Sequence, residues 1–403
     1  MTDDWKTYRD RCAIAGIGAT EFSKDSGRSE LTLASEAARK AIADAGLSAG
    51  DIDGIVRCDM DRVKHNALAG ALGINGLTYF SEVGPGGSAP CAMVGQAVAA
   101  ILSGQAKHVL VYRSLNGRSE SRYGAAIAPD SAGEIAKFTE TGGFGSYDEF
   151  FTPFGLMTAP QTFALLAQRH KIQYGTADEH FAAIALTCRE HANATPHAQM
   201  HDKPLTYQNY LDSRMIASPL RLFDCCLETD GACALVVTSA ERARDLPNSP
   251  VLIRAVAQGV AQGVKGGMMF PVLTFDDPLR LSPGHVAKTL WKRAGLGPED
   301  MDVAQIYDCF TISVLLQLED YGFCDRGESG PFAASGAIRK GGSIPINTAG
   351  GNMSEGYIHG LNHIVEGVKQ IRGTASMQVE NAETCLVTSG PIPTSSALVL
   401  RRD

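Results

Sequence analysis

The chain has no excess of positive charge, no long apolar run and no paired-cysteine motif, and each absence removes a class of function. Its 36 lysines and arginines are outnumbered by 44 acidic residues, giving a formal net charge of −8. A nucleic-acid-binding face needs concentrated basic charge, so no nucleic acid is expected as a partner. No stretch reaches the ~18 consecutive apolar residues that span a bilayer. The best one, at 91–102, is interrupted by Gly95 and Gln96. The opening MTDDWKTYRDRCAIAG carries two early acids and no apolar core, unlike a secretory signal. The ten cysteines include no CxxC pair, and the adjacent Cys225 and Cys226 suit neither zinc-ligand spacing nor a disulfide framework. Reduced thiols that mostly fill core, in a cytoplasmic protein with no metal site, are the expectation.

What is present is a duplicated pattern in a chain of 403 residues, long enough for two or more cores. AGLSAGDID at 45–53 repeats as AGLGPEDMD at 294–302, with Ala, Gly, Leu and two Asp in register. Each copy ends a helical stretch and leads into an apolar, strand-like one. The first helix carries Leu33, Ala37, Ala38, Ala41, Ile42 and Ala45 on one face of a 3.6-residue period. The second spans 283–293, with Pro283 in its first turn. Gly46 and Gly295 suit the C-terminal stops.

The order of elements also repeats. Strand-like CAIAGIG (12–18) and VLIRAVAQG (251–259) precede the two helices. Gly-Gly turns then open GGSAPCAMVGQAVAAILSG (86–104) and GGNMSEGYIHGLNHIVEGVKQIRG (350–373), each read as a helix. Strands HVLVYRS (108–114) and TCLVTSG (384–390) follow. Alternating strands and helices predict largely parallel sheets covered by helices, in two α/β halves at 1–250 and 251–403. The segment 115–180 has no counterpart in the second half. It reads as an inserted lid or binding loop, with 160–175 as a helix packing it down. Phe144, Phe150, Phe151 and Phe154 either line an apolar pocket there or anchor the insertion.

Two such halves, each with a Gly-Gly turn into a central helix, resemble the thiolase fold across nearly the whole chain. The resemblance is strongest to the sterol-carrier-protein type of thiolase and the related lipid-transfer-protein branch. It rests on GIGATEFSKDSGRSELTLASEAARKAIADAGL (16–47), PLRLFDCCLETDGACALVVTSAERARDL (219–246), YDCFTISVLLQLEDYGFC (307–324) and PINTAGGNMSEGYIHGLNHIVEGVKQIRG (345–373). It implies two duplicated βαβαβαββ-type halves with central helices between two mixed sheets.

Measured against working thiolases, the catalytic residues are missing. Matching the end of the first core helix puts Ser88 where the nucleophilic cysteine belongs, and a serine without a base is a poor acyl acceptor. Cys91 lies three residues on, ~300° around a helix and ~4.5 Å along it; it is either a buried filler or, in a different alignment, the nucleophile. Tyr307 stands where an HDCF-like motif has His, and Tyr357 stands at the His of a GHP-like motif. SGPIPTSS replaces the loop with the second cysteine. This pattern is similar to the steroid side-chain aldolases of bacterial cholesterol degradation, in which the matching tyrosines do the acid–base work.

The resemblance implies retro-aldol cleavage of a tertiary β-hydroxyacyl-CoA, a 17-hydroxy steroid with a 20-carboxyl-CoA side chain, to a 17-ketosteroid and propionyl-CoA. The reaction needs a base, an acid and an oxyanion site, but no cofactor beyond the CoA of the substrate thioester. Tyr357, read as lying in the first turns of a helix after Gly350-Gly351, is expected to be the base, its pKa lowered by the helix N-terminus. Tyr307 is then the proton donor to Cα, and the reversed assignment stays open. His359 and Asn347 are candidates to bond the thioester oxygen or orient a tyrosine; they serve equally as a core histidine and a turn residue. Ser88 with the backbone at Gly86 and Gly87 is a candidate oxyanion site, and the glycine pairs Gly86-Gly87 and Gly350-Gly351 are candidates to bind the CoA thioester. The resemblance further implies a homodimer and a small OB-fold, zinc-ribbon acyl-CoA-binding partner. No basic CoA-binding cluster is evident, although Lys265 and Arg293 are available. Two other readings stand: a thiolase using Cys91 and CoA, and a non-catalytic lipid-CoA carrier.

Overall fold

The structure, a computed structural model of the chain, describes residues 8–120, 152–156, 158–263, 277–392 and 394–403. Eleven strands and twelve α-helices are used below. The strands are β1 (Cys12–Ala19), β2 (Gly54–Cys58), β3 (Tyr79–Val83), β4 (His108–Asn116), β5 (Met215–Ala217), β6 (Leu220–Arg221), β7 (Asp230–Ser239), β8 (Val251–Gly259), β9 (Val303–Gln305), β10 (Thr384–Thr388) and β11 (Ser395–Arg402). The helices are α1 (Glu30–Asp44), α2 (His65–Leu72), α3 (Pro90–Leu102), α4 (Ala159–Tyr174), α5 (Asp178–Asn193), α6 (Tyr207–Leu211), α7 (Ala240–Arg244), α8 (Ser282–Ala294), α9 (Thr311–Asp320), α10 (Ser329–Ala334), α11 (Gly351–Ser354) and α12 (Leu361–Arg372).

Nine strands are hydrogen-bonded in the order β3-β2-β4-β7-β1-β8-β11-β10-β9. The order repeats about its middle. β1 pairs antiparallel with β7, β7 antiparallel with β4, and β4 parallel with β2; in the same way β8 pairs antiparallel with β11, β11 antiparallel with β10, and β10 parallel with β9. The two sheets expected from the sequence thus touch at one seam, where β1 and β8 share only the pairs Ala13–Leu252 and Ile14–Val251.

Helix composition sets the layers. α1 is amphipathic: Leu33, Ala34, Ala37, Ala38, Ala41 and Ile42 are buried, and it packs on β1, β4 and β7. Its start is capped by the Ser29 side chain accepting from the Thr32 amide. α8 covers β8 and β11 from the other side. α3 and α12 are buried nearly all round, as helices of a middle layer must be. α3 touches β2, β4 and β7 but also β8 and β11; α12 touches β9, β10 and β11 but also β1 and β7. Their apolar side chains form one core with both sheets, including Val94, Ala97, Leu361, Ile364, Val365 and Val368.

The repeated aspartates do the same work twice. Asp53 accepts from the amides of Lys107 and His108 at 2.9 Å, just ahead of β4. Asp302 accepts from the amides of Glu383 and Thr384 at 2.9 Å, just ahead of β10. Each carboxylate satisfies backbone donors at the start of the central strand of its half, so the side chain cannot be exchanged freely.

One expected helix is broken. The run read as continuous over 350–373 is two helices, α11 and α12, separated by Glu355–Gly356–Tyr357–Ile358–His359–Gly360. Gly360 sits at φ 87°, a left-handed conformation that a helix interior does not allow. Tyr357 therefore lies in a loop and not in a first helical turn, and the helix-dipole argument for lowering its pKa does not hold. The helix expected at 160–175 is α4. Phe154 is 88% exposed and anchors nothing among the described residues, while Phe144, Phe150 and Phe151 lie outside them.

Candidate active site

Tyr307 follows β9, and every polar group of its backbone is occupied. Its amide donates to Thr388 Oγ1 at 2.9 Å; its carbonyl accepts from Gln317 Nε2 at 2.7 Å and Ser313 Oγ at 3.2 Å. Thr388 in turn donates to Gln317 Oε1 at 2.7 Å, so one glutamine of α9 ties the end of β10 to the tyrosine. One residue earlier, Asn347 acts as a surrogate strand. Its Oδ1 accepts from the Ile306 amide at 2.7 Å, and its Nδ2 donates to the Ile306 carbonyl at 2.9 Å. Asn347 holds a positive φ of 48° to do so.

Tyr357 is half-buried in the loop between α11 and α12, its amide donating to Thr229 Oγ1 at 2.9 Å. The loop at 225–229 grips both tyrosine segments: the Cys226 amide donates to the Cys309 carbonyl and the Leu227 amide to the Asn352 carbonyl, both at 2.9 Å. The two hydroxyls meet at 3.0 Å. Fifty residues of sequence thus close on one hydrogen bond.

The surroundings differ at the two ends of that bond. Tyr307 is only 3% exposed. Burial, reinforced by the neighbouring Tyr357, pushes its phenol well above the ordinary value, so it keeps its proton at neutral pH. The Tyr307 hydroxyl packs against the backbone of Gly87, and its ring against Gly360 and, at a centroid distance of 6.4 Å, the imidazole of His363. Tyr357 meets His359 edge to face at 5.0 Å. His359 is buried, and its Nδ1 faces the Arg113 guanidinium at 2.8 Å and 3.2 Å. Desolvation, and secondarily Arg113, hold its pKa well below the ordinary imidazole value.

The other expected residues divide by position. Gly86 lies against the His359 ring and Gly87 against Tyr307, so this glycine pair forms a wall of the site. Ser88 Oγ donates to the Thr394 carbonyl at 2.9 Å, toward the C-terminal loop. Cys91 is fully buried, with its thiol against the Val387 carbonyl at 3.4 Å and its pKa pushed up to about 12 by burial. Gly350 and Gly351 make room for protein rather than for a ligand. A β-carbon on Gly351 would fall 2.3 Å from Asp308 Oδ2, and one on Gly350 2.6 Å from the Ala192 side chain. Asp308 instead accepts from the amides of Asn352 and Met353 at 2.8 and 3.2 Å. Arg293 donates to the Val256 carbonyl at 2.8 Å; Lys265 lies outside the described residues. Among the described residues no cluster of His, Cys, Asp and Glu is arranged to hold a metal, and all ten cysteines are free thiols.

Sequence reasoning missed Arg113, Asp61, Gln317 and His363. For Arg113 a signal existed: it is the one arginine or lysine in the strand-like HVLVYRS, and a charge in a buried strand needs partners. Nothing in the sequence marks Gln317 or His363 apart from their places on α9 and α12.

The chain as a whole is similar to known proteins. Residues 275–402 match the family model of the thiolase C-terminal domain-like proteins. The chain is 44% identical over 391 residues, 97% of its length and 99% of the relative's, to the 17-hydroxy-3-oxo-4-pregnene-20-carboxyl-CoA lyase of Mycobacterium tuberculosis. It is also 44% identical over 391 residues, 97% of its length and 98% of the relative's, to a steroid side-chain-cleaving aldolase of Thermomonospora curvata. Among solved structures it matches the Ltp2-ChsH2(DUF35) aldolase with a TM-score of 0.88 and 41% identity, covering 98% of this chain and 99% of that one.

Proposed function

The chain belongs to the steroid side-chain-cleaving aldolases of the thiolase superfamily, and from that premise we propose that it is a lyase cleaving a tertiary β-hydroxyacyl-CoA by retro-aldol reaction. The substrate we propose is a 17-hydroxy steroid carrying a 20-carboxyl-CoA side chain, and the products a 17-ketosteroid and propionyl-CoA. The observation that carries the mechanism is the 3.0 Å contact between the hydroxyls of Tyr307 and Tyr357.

A fully substituted β-carbon cannot be oxidised to a ketone, so thiolysis is closed to it and the Cα–Cβ bond must break directly. In our reading Tyr357 takes the proton of the β-hydroxyl. The O–H electrons form the ketone, the Cα–Cβ pair moves into the thioester as an enolate, and Tyr307 delivers a proton to Cα. Tyr307 then recovers a proton from Tyr357 across their hydrogen bond. One proton leaves the hydroxyl and one reaches Cα, the hydroxyl's own proton reloading Tyr307 by way of Tyr357, so the cycle is balanced and redox-neutral and calls on no cofactor. The raised pKa of Tyr307 supports its place as acid. With Tyr307 keeping its proton, the partner hydroxyl 3.0 Å away is left the role of base in our reading. This replaces the helix N-terminus as the reason for that assignment.

A thiolase reaction at Cys91 is disfavoured by the buried thiol with a pKa of about 12, since only the thiolate attacks. The solved aldolase includes a DUF35 component by name, and we propose a DUF35-type acyl-CoA-binding partner for this chain. We also propose a homodimer, supported by β3, which ends the sheet and leaves Phe80 68% exposed. No helix among the described residues is long and apolar enough to cross a membrane. Ten free thiols suit the reducing cytoplasm we propose.

The test is to mix the protein and such a partner with a tertiary β-hydroxy steroid-CoA in the absence of free CoA. Mass spectrometry is expected to find propionyl-CoA and the 17-ketone. Cleavage that begins only when CoA is added would return the reaction to thiolysis.

A further inference from the structure

The two largest fully buried side chains among the described residues are both arginines, Arg57 and Arg113. A buried guanidinium is costly unless its donors are met by a carboxylate or by other acceptors. Arg113, near the end of β4, gives Nη1 to Asp61 Oδ1 at 2.6 Å. Asp61 is itself held by the amides of Ser114 at 3.0 Å and Cys58 at 3.1 Å, while its carbonyl accepts from Arg57 Nη1 at 2.8 Å. Arg113 turns Nε and Nη2 onto a single atom, His359 Nδ1. A row of buried groups therefore runs from Arg57 through Asp61 and Arg113 to His359, and ends against Tyr357.

That row dictates a tautomer. A guanidinium has donors and no acceptor, so Nδ1 must present its lone pair and the ring proton must be on Nε2. His359 also sits at φ 50°, a left-handed conformation that favours glycine. Such a conformation at a reacting centre persists only where the surroundings over-determine it.

We propose that Arg113, anchored by Asp61, is a positioning residue that fixes His359 as a neutral Nε2–H donor for the thioester enolate formed beside Tyr357. This rests on the retro-aldol reading above. The guanidinium at Nδ1 draws electron density from the ring and makes Nε2–H a stronger donor. A neutral donor stabilises the enolate without offering it a proton outright, which leaves protonation to Tyr307. The low pKa of His359 agrees with this geometry. The charged and titratable groups around it are Arg113 on β4, Cys58, Asp59 and Asp61 from β2 and the turn after it, Glu30 on α1 beyond Arg113, and the two tyrosines. Of these, Asp61 spends its charge on Arg113.

The decisive measurement is nitrogen NMR of histidine-labelled protein, with the His359 signals identified as those lost in His359→Gln. Wild type is expected to show the Nε2–H tautomer without titration between about pH 6 and pH 9. In Arg113→Met the ring is expected to titrate or mix tautomers, and an acid limb should appear in kcat/KM. Where that single change does not fold, the paired Asp61→Asn, Arg113→Met variant removes both charges together. A Nδ1–H tautomer in wild type, an ordinary titration, or signals indifferent to Arg113 would overturn the proposal. These readouts do not depend on which substrate is cleaved. A kinetic arm compares His359→Gln, which keeps an acceptor and a donor, with His359→Phe, which keeps only the bulk. The Gln variant is expected to hold kcat at least tenfold above the Phe variant, within the ~10²–10³ effect of an oxyanion donor. Equal losses would also overturn the proposal.

Discussion

The hydroxyl of Tyr307 lies where a side chain on Gly87 would begin: a β-carbon there would fall 2.0 Å from that oxygen and 2.6 Å from Cζ. Neither group has an easy retreat. The Gly87 carbonyl accepts from the Gly390 amide at 2.7 Å, and the tyrosine backbone is fixed by Thr388 and Gln317. Gly87→Ala should therefore displace the Tyr307 hydroxyl from Tyr357. We expect kcat to fall by about 10²-fold or more, because a misplacement of ~1 Å is enough for that. Urea unfolding of the same variant checks that the fold persists. Activity near wild type in a folded Gly87→Ala protein would mean that the 3.0 Å contact is not required.

The shared hydrogen bond predicts a particular pattern in a double-mutant cycle. Tyr307→Phe and Tyr357→Phe should each lower kcat by ~10²–10⁴-fold, the usual scale of acid–base catalysis. If one proton passes along one relay, breaking it twice is little worse than breaking it once. The double variant should then be about as slow as the slower single variant. Losses that multiply would show two independent roles and sink the relay.

Much of this was legible in the sequence because it is repeated or periodic. The strand at 251–259 follows from its β-branched and apolar run and the helix near 283–293 from the repeat and Pro283, and β8 and α8 occupy those places. Asp53 and Asp302 stood out as a repeat, and their shared role as acceptors ahead of β4 and β10 explains why. Tyr307 and Tyr357 stood out because they replace histidines, and their hydroxyls are in contact. The break between α11 and α12 was written in Gly356 and Gly360, but the Gly350-Gly351 turn, matched to Gly86-Gly87 in the first half, was read as opening one continuous helix. The chain of Asp61, Arg113 and His359 was not legible. It joins three distant segments through buried charge, and sequence spacing carries no record of such contacts.

Asn347 is expected to matter for stability more than for contact with substrate. Its carboxamide supplies both hydrogen bonds of the buried Ile306 backbone. Asn347→Ala leaves an amide and a carbonyl unpaired, at about 1–3 kcal/mol each, or roughly 2–6 kcal/mol together. Asn347→Gly relieves the positive φ but not the lost bonds, so it should recover only about 1 kcal/mol. Urea midpoints of the three proteins separate these contributions. A Gly variant as stable as wild type would assign the whole effect to backbone strain.

Alkaline pH should destabilise the protein well before its tyrosines ionise. Burial raises the pKa of every one of the ten thiols: to about 12 for Cys12, Cys58, Cys91, Cys225, Cys309 and Cys324, and well above the ordinary value for Cys188, Cys226, Cys233 and Cys385. In the unfolded chain these thiols titrate near ~8.5. Between about pH 8.5 and 12 the native state therefore holds more protons than the unfolded state. Stability falls as pH rises through that window and is retained in full below it. Each thiol contributes up to ~1.4 kcal/mol per pH unit, so even a few of the ten acting in full amount to several kcal/mol per unit. Above about pH 10 the raised pKa of Tyr307 adds in the same direction. Urea midpoints under reducing conditions at about pH 7.5, 8.5 and 9.5 should fall over the first interval, as the unfolded thiols begin to titrate, and fall much further over the second. A midpoint unchanged across both would mean that the thiols are not buried as described.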